Sequence, residues 1–186
     1  MNLYYQKITD ELINFIANCL VENKIVAICR GKSESGPRAL GNRSLLASPI
    51  NKEMKEIVNI LKSREEFRPV SPICMLEHAS KWFDLGTAKE SPFMNFSVPC
   101  INPDLIPSAV HIDGSSRVQT ITEDENEFVY KLIEKFYNLT EIPMLINTSF
   151  NLQGQPIIET PSEAITAFLE TNIDYLILEN YLITRK

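Results

Sequence analysis

A short apolar run at residues 25–29 leads directly into a basic loop at residues 30–44, and this junction limits the folds open to the chain. Five apolar residues bounded by turn-forming residues are typical of a buried strand, and the glycines and Pro37 indicate a loop after it. Residues 30–68 carry nine Lys or Arg and five Glu, a local charge of +4, although the whole chain has a net charge of −6. Close-set cations concentrate anions. The loop therefore predicts a site for a small anionic ligand, with a solvated surface loop as the alternative.

The spacing of apolar residues predicts the order of helices and strands. Amphipathic helices are predicted over residues 9–23, 51–61, 125–139 and 160–170, with a short helix within 78–89. Strands are predicted over residues 25–29, 67–76, 91–100, 109–112, 117–121, 142–146 and 174–178, with 181–184 as an extension. Because helices and strands alternate unevenly, we expect one α/β domain of the α+β type over residues 1–186, a mixed sheet with flanking helices.

Three local predictions concern residues outside the basic loop. The helical spacing places Phe15 and Ile57 on buried helix faces. Asn51 is expected to cap the helix that starts there. The prolines at positions 69 and 72 are expected to confine the strand at 67–76 to a sheet edge or to a strand start, because proline cannot donate a ladder hydrogen bond.

Composition excludes several classes of protein. No apolar run approaches the roughly 18–20 residues of a membrane span, and the first seven residues lack the apolar segment of a secretory signal, so we expect a cytoplasmic protein. The four cysteines lie far apart and are expected to be reduced and packed. The two histidines have no ligand-spaced neighbours, so we expect no metal site held by the protein. The acidic net charge makes nucleic acid an unlikely partner.

Four polar groups follow predicted strands or helices and are the candidate binding residues. They are Arg38 in the basic loop; Lys62 with Arg64 and Arg68; Arg117; and the set Asn147, Ser149 and Asn151. Arginine offers a planar fork to oxyanions, lysine a point charge, and short amides and hydroxyls directed hydrogen bonds. No phosphate-binding glycine motif of the Walker A or dinucleotide type is present, and no Ser-His-Asp set is evident. From the residues alone, an anion-binding α/β domain is the prediction.

Four blocks of sequence resemble the C-terminal domain of the NodU/CmcH/TobZ carbamoyltransferases. They are residues 36–44 (GPRALGNRS), 62–69 (KSREEFRP), 111–120 (HIDGSSRVQT) and 145–151 (LINTSFN), in the order and with the approximate spacing of the family. The resemblance extends over about residues 20–184. It implies a twisted mixed sheet like that of the YrdC/Sua5 proteins, with a deep basic cavity.

The resemblance also implies a function and roles for named residues. Such a domain makes carbamoyl-adenylate from ATP and carbamoyl phosphate with release of pyrophosphate, and Mg²⁺ accompanies the ATP. Lys62 and Arg68 are expected to hold phosphates, with Arg38 reaching the same cavity. Arg117 is expected to contact nucleotide or pyrophosphate oxygens. Asn147 and Ser149 are expected to orient the carbamoyl group and the α-phosphate, so that Lys62, Arg68 and Ser149 form the catalytic set.

Some family features are expected to be absent or altered. The Kae1-like domain that passes the carbamoyl group to an acceptor hydroxyl has no expected counterpart in residues 1–186, so it would act in cis from a longer protein or in trans as a partner. Arg30 stands where glutamine is expected and Lys32 where arginine is common, and both keep or add positive charge. Glu34 is expected to form a local salt bridge rather than to bind a metal. A non-catalytic module that binds nucleotide or RNA remains the alternative function.

Overall fold

The computed structural model describes residues 2–186, which form an eight-stranded mixed sheet, a two-stranded sheet and five α-helices. In chain order the elements are β1 (Leu3–Lys7), α1 (Asp10–Val21), β2 (Val26–Cys29), β3 (Arg43–Ala47), α2 (Met54–Leu61), β4 (Ser71–Met75), α3 (Leu76–Trp82), β5 (Val98–Pro99), β6 (Ser115–Ser116), β7 (Gln119–Ile121), α4 (Glu127–Thr140), β8 (Met144–Ser149), α5 (Pro161–Glu170), β9 (Tyr175–Leu178) and β10 (Tyr181–Arg185). The expected α/β class with a mixed sheet and flanking helices is confirmed.

The large sheet has the order β1-β10-β9-β2-β3-β8-β4-β7. The pairs β2–β9 and β4–β7 are parallel, and the other pairs are antiparallel. Alternate residues of each strand point to opposite faces of a sheet, and β2 shows this directly. Its Val26 and Ile28 pack in one core, whereas Ala27 and Cys29 pack in the other. The first core contains the inner faces of α1 and α4, and the second those of α2 and α5.

One predicted strand is much shorter than expected and another is wrong, and both lie where proline interrupts the chain. Within residues 91–100 only Val98–Pro99 is a strand, since Met94 has a φ of +52° that breaks an extended backbone. Residues 107–109 form a 3₁₀ turn that begins at Pro107. The chain then closes a turn in which the amide of Gly114 donates to the carbonyl of His111, so residues 109–112 have no strand.

Three local predictions about α1, α2 and β4 also need correction. Phe15 is 45% exposed and packs edge-on against Tyr175, and Ile57 is 40% exposed. Asn51 does not cap α2; its side chain accepts from the amide of Glu53 in the turn before the helix. The strand β4 is not at an edge, because it lies between β8 and β7. Its proline, Pro72, is at the second position, in accord with the strand-start alternative.

Strands β1 and β3 have no counterpart among the predicted elements, and the two-residue β6 falls between the predicted strands 109–112 and 117–121. All five residues of β3 are buried between β2 and β8, but the strand begins with Arg43 and Ser44, whose polarity is typical of a loop. Strand β1 is an exposed edge strand that pairs only with β10. Pairing with a neighbour distant in sequence decides both strands, and such pairing leaves little local signal.

The cysteines behave as predicted. Cys19, Cys29 and Cys74 are buried, Cys100 is partly buried, and all four are free thiols. Burial raises the pKa of each thiol. Within residues 2–186 we find no helix of the length and apolar character that a bilayer crossing requires.

The register of β3, β4 and β8 brings the polar segments to one end of the sheet. Ser44 near the start of β3 pairs with Ser149 at the end of β8, and Ser71 at the start of β4 pairs with Asn147. The basic loop enters β3 at this end, and the turn after α2 enters β4 here. The segments predicted to bind an anion therefore converge in space.

Candidate functional site

Lys62 lies at the C-terminal cap of α2 and is only 4% exposed. Its ammonium donates to the Oγ of Ser149 at 3.0 Å, to the Oδ1 of Asn151 at 2.8 Å and to the backbone carbonyl of Ser149. All three acceptors are neutral oxygens. Burial, and to a lesser extent the nearby charge of Arg64, lower the pKa of Lys62 to about 7. This charge is thus held in place without a carboxylate among its hydrogen-bond partners.

Arg64 follows two residues later and is partly buried. Its Nε donates to the Oδ1 of Asn59 at 2.6 Å, while its Nη2 is buried without a hydrogen-bond partner among the described residues. Burial and then the charge of Arg68 lower the pKa of the Arg64 guanidinium, with Glu65 opposing them. A buried donor without an acceptor is costly, and an anionic oxygen at this position would remove the cost.

Arg68 differs from these two residues because about half of its side chain is exposed. Its Nε forms an ion pair with Oε2 of Glu65 at 2.6 Å, and both side chains are about half exposed, at 53% and 49%. The hydrogen bond from Arg68 lowers the pKa of the Glu65 carboxyl. Arg68 is the most accessible of the three cations and is free to meet a ligand from the solvent side.

Arg38 and Arg117 form a second cationic group nearby. The Nε of Arg117 donates to the Oγ of Ser71 at 3.4 Å, a long hydrogen bond. Burial and then the positive charge of Arg38 lower the pKa of Arg117. Two guanidinium groups that repel each other without a carboxylate between them are typical of a binding site for an anion.

Asn147 is 2% exposed and supplies the neutral part of the second group. Its Nδ2 donates to the carbonyl of Ala39 at 3.1 Å and to the Oε1 of Gln119 at 2.7 Å. The Nε2 of Gln119 in turn donates to the carbonyl of Leu40 at 2.9 Å. Both Nδ2 hydrogens of Asn147 are used, and its Oδ1 is buried without a partner among residues 2–186. Asn147 therefore has one unused acceptor.

These residues line two adjacent pockets of about 250 Å³ and 170 Å³. The larger is bounded by the Lys62 turn and the segment after β8, and the smaller by the basic loop, Arg117 and Asn147. Arg64 and Ser149 line both pockets. Glu65 is the one carboxylate on either wall. The two pockets thus form two adjoining cationic compartments that share Arg64 and Ser149.

The structure brings together all of the predicted site residues. Lys62, Arg68 and Ser149 line the larger pocket, and Arg38, Arg117, Asn147 and Ser149 line the smaller one. Their roles toward a ligand stay predictions. Two further pocket residues, Arg64 and Asn151, are candidates by position, but the family resemblance assigns them no role. The Lys-x-Arg and Ser-x-Asn patterns are the sequence signal that could have identified these two residues.

Glu34 has a different role from the one expected. Its Oε1 accepts from the amides of Leu40 and Asn42, each at 2.7 Å, and Glu34 forms no salt bridge with any of residues 2–186. The carboxylate closes residues 34–42 into a compact loop and so fixes the backbone on both sides of Arg38. Arg43 holds the start of the same loop, because its guanidinium donates to the carbonyls of Arg30 and Gly31.

The sequence matches a known family model over almost its whole length. The model is described as the carbamoyltransferase C-terminus, and it matches residues 17–185. Nodulation protein NolNO of Sinorhizobium fredii is 38% identical over 181 residues, which are 95% of this chain and 27% of that protein. The chain spans 27–33% of the length of the first five curated relatives that it matches.

Solved structures of the expected type share the fold. Full-length HypF in its phosphate- and nucleotide-bound form superposes with a TM-score of 0.67 at 18% identity, over 95% of this chain and 22% of HypF. Sua5 of P. abyssi in complex with L-threonine gives a TM-score of 0.64 at 17% identity, over 94% of this chain and 48% of Sua5. These likenesses confirm the YrdC/Sua5-like fold.

Proposed function

We propose, because this chain belongs to the carbamoyltransferase C-terminal family, that it forms carbamoyl-adenylate from carbamoyl phosphate and ATP. The observation that carries the proposal is the pair of adjoining cationic pockets that share Arg64 and Ser149. One buried donor, Nη2 of Arg64, and one buried acceptor, Oδ1 of Asn147, lack partners among residues 2–186. A ligand with anionic oxygens and an N–H group supplies both missing partners. Carbamoyl phosphate is such a ligand.

The reaction balances when water takes part. Water cleaves carbamoyl phosphate to carbamate and inorganic phosphate, and a carbamate oxygen then attacks the α-phosphorus of ATP. The bond from that phosphorus to the bridging oxygen breaks, and pyrophosphate leaves with the electron pair. The products are carbamoyl-adenylate, pyrophosphate and inorganic phosphate. Negative charge builds up on the leaving pyrophosphate, so fixed cations placed around it stabilise the transition state.

The two compartments suggest a division of labour. We assign phosphate oxygens to Lys62 and Arg68 in the larger pocket, with Arg64 between the two compartments. Arg38 and Arg117 would hold the anionic oxygens in the smaller pocket, where Asn147 would accept from the carbamoyl nitrogen. Ser149 lies on the shared wall, close to both reacting groups in this arrangement. Holding two reactants in adjoining compartments lowers the entropic barrier to their reaction.

Magnesium fits this site only as part of the nucleotide. Glu65 is the one carboxylate on the pocket walls and is paired with Arg68. Residues 2–186 contain no group of three or more His, Cys, Asp or Glu that would hold a metal ion. We propose that Mg²⁺ enters with ATP and neutralises phosphate charge there, as is usual for this ion.

Transfer to an acceptor hydroxyl is a second step, which we assign to a Kae1-like domain in cis or in trans. The relatives are about three to four times as long as the matched segment, which leaves room for such a domain in those proteins. The acidic net charge of −6 favours this assignment over RNA binding.

Incubation of the purified chain with labelled carbamoyl phosphate, ATP and Mg²⁺, followed by mass spectrometry, tests the proposal. We expect carbamoyl-adenylate, with phosphate and pyrophosphate released in equal amounts. Tight binding of ATP with no product, both alone and with a Kae1-like domain added, would instead support the non-catalytic nucleotide-binding module.

A further inference from the structure

We propose that Asn59, a buried residue of α2, is the positioning residue that sets Arg64 and Arg68 in the orientation needed to bind an anion. The proposal rests on the proposed function, since it concerns the same cationic site. Asn59 lines neither pocket, is 0% exposed and carries no charge. It acts through the two arginines rather than on a ligand.

Four hydrogen bonds join Asn59 to the turn that carries the arginines. Its backbone carbonyl accepts from the amide of Arg64 at 3.0 Å, and its Oδ1 accepts from Nε of Arg64 at 2.6 Å. Its Nδ2 donates to the carbonyl of Glu66 at 2.8 Å and to the carbonyl of Arg68 at 2.9 Å. One side chain thus fixes both ends of a turn of five residues.

The turn needs such an anchor because its positively charged side chains repel one another. Lys62, Arg64 and Arg68 lie within seven residues, and the positive charge of Arg68 disfavours the charged form of Arg64. Residues 62–70 have no helix or strand, and Ser63 adopts a φ of +52°, which is strained for a residue other than glycine. The only ion pair in the turn, between Arg68 and Glu65, is half exposed and therefore weak.

The side-chain amide of Asn59 also engages Nε of Arg64 and so leaves the terminal nitrogens of the guanidinium for a ligand. With Nε bonded to Asn59, the guanidinium plane is fixed, and Nη2 is left buried without a partner in the described part of the chain. Both Nδ2 hydrogens of Asn59 are used, so its amide cannot rotate without losing three bonds at once. A fixed fork binds an oxyanion with less loss of side-chain entropy than a mobile one.

The test compares Asn59→Ala with Val58→Ala. Val58 is the neighbouring buried residue of α2, at 1% exposure, and its aliphatic side chain cannot hydrogen-bond to the turn. Both variants remove buried atoms and lower the melting temperature. Binding of pyrophosphate is measured by calorimetry at a temperature at which both remain folded. We expect Asn59→Ala to weaken binding at least about tenfold, as for loss of one charge-assisted hydrogen bond, and Val58→Ala to leave it within about twofold.

Two NMR measurements need no ligand and separate this inference from the proposed function. Since Arg64 lowers the pKa of Lys62, release of Arg64 in Asn59→Ala should raise the pKa of Lys62, and Val58→Ala should leave it unchanged. The Nε–H of Arg64 should exchange faster with solvent in Asn59→Ala. It should stay protected in Asn59→Asp, which keeps the acceptor and serves as a second variant if the alanine does not fold.

The outcomes are distinct. An unchanged Lys62 pKa and an unchanged Arg64 Nε–H exchange rate in Asn59→Ala would overturn the inference, as would equal losses of affinity in Asn59→Ala and Val58→Ala. If the wild type binds no pyrophosphate but the two NMR signals still change in Asn59→Ala alone, the positioning role stands and the proposed function fails.

Discussion

The ammonium of Lys62 donates a 3.0 Å hydrogen bond to the hydroxyl of Ser149, although the two residues are 87 positions apart in the sequence. Ser149 Oγ lies 2.6 Å from Oδ1 of Asn151, which also accepts from Lys62. The serine therefore accepts from the lysine and donates to the asparagine. This triangle connects the end of α2 to the end of β8 and places a buried positive charge on the wall of the larger pocket.

Anion binding should depend on pH through Lys62. Its pKa of about 7 means that the free site is half neutral near that pH, whereas a bound anion favours the charged form. Above pH 7 a proton must be taken up on binding, so we expect pyrophosphate affinity to fall by up to about tenfold per pH unit. Dissociation constants of wild type and Lys62→Arg are measured by calorimetry from about pH 6 to about pH 9. Because pyrophosphate titrates equally in both experiments, its own titration cancels in the ratio of the two constants. A ratio that does not change with pH would contradict this prediction.

Stability should depend on pH through the same residue. The pKa of Lys62 is lowered on folding from 10.5 to about 7, so between these values the unfolded chain binds more protons than the folded one. The free energy of unfolding of the wild type should therefore rise with pH across this window. Lys62→Met has no such group, so the wild type should gain stability relative to it between about pH 7 and about pH 10 in urea titrations. Parallel curves for the two proteins would count against a buried lysine with a lowered pKa.

Arg64 should affect ligands of both compartments because it lines both pockets. Arg64→Lys keeps the charge but cannot bond Asn59 and a ligand with the same planar fork. We expect affinity for ATP and for carbamoyl phosphate to fall together, each by about tenfold or more. Lys24→Ala is the control, since Lys24 precedes β2, at the end of that strand opposite the basic loop. If calorimetry shows weaker binding of only one of the two ligands by Arg64→Lys, Arg64 does not serve both compartments.

The unused acceptor of Asn147 should make the site selective for an N–H group. Acetyl phosphate has a methyl group in place of the carbamoyl nitrogen and would leave Oδ1 of Asn147 unpaired. We expect wild type to bind carbamoyl phosphate at least about tenfold more tightly than acetyl phosphate, and Asn147→Ala to lose this preference.

Arg38→Ala provides the control for that selectivity. Removal of a cation should weaken the binding of both acyl phosphates by the same factor and leave the ratio of their dissociation constants unchanged. Equal binding of the two ligands by wild type would show that Asn147 does not read the carbamoyl nitrogen.

Much of the fold is predictable from local pattern, and the errors have more than one cause. The helices α4 and α5 have clear amphipathic faces, and α5 has the capping box formed by Thr160 and Glu163, so their residues match the predicted ranges closely. Strands β1 and β3 depend on partners far away in sequence. Phe15 follows the helical spacing but faces the rim of the core, where it packs against Tyr175.

The site was predictable as a set of residues but not as a network. Charge and position identify Lys62 and Arg68, and the family resemblance connects them with Asn147 and Ser149. Nothing local indicates that Asn59 is bonded to the turn or that Gln119 holds the Asn147 amide. Both depend on tertiary placement, because an isolated asparagine in a helix usually faces solvent.

The most direct test of the central claim is the exchange of labelled pyrophosphate into ATP, with and without carbamoyl phosphate, on wild type and Lys62→Ala. Reversible adenylate formation predicts exchange that requires carbamoyl phosphate and falls by about a hundredfold or more in the variant, as for loss of a charged group at a transferring phosphate. Exchange that is absent from folded wild type that binds ATP, even with a Kae1-like domain present, would contradict the claim. So would exchange that is undiminished in Lys62→Ala.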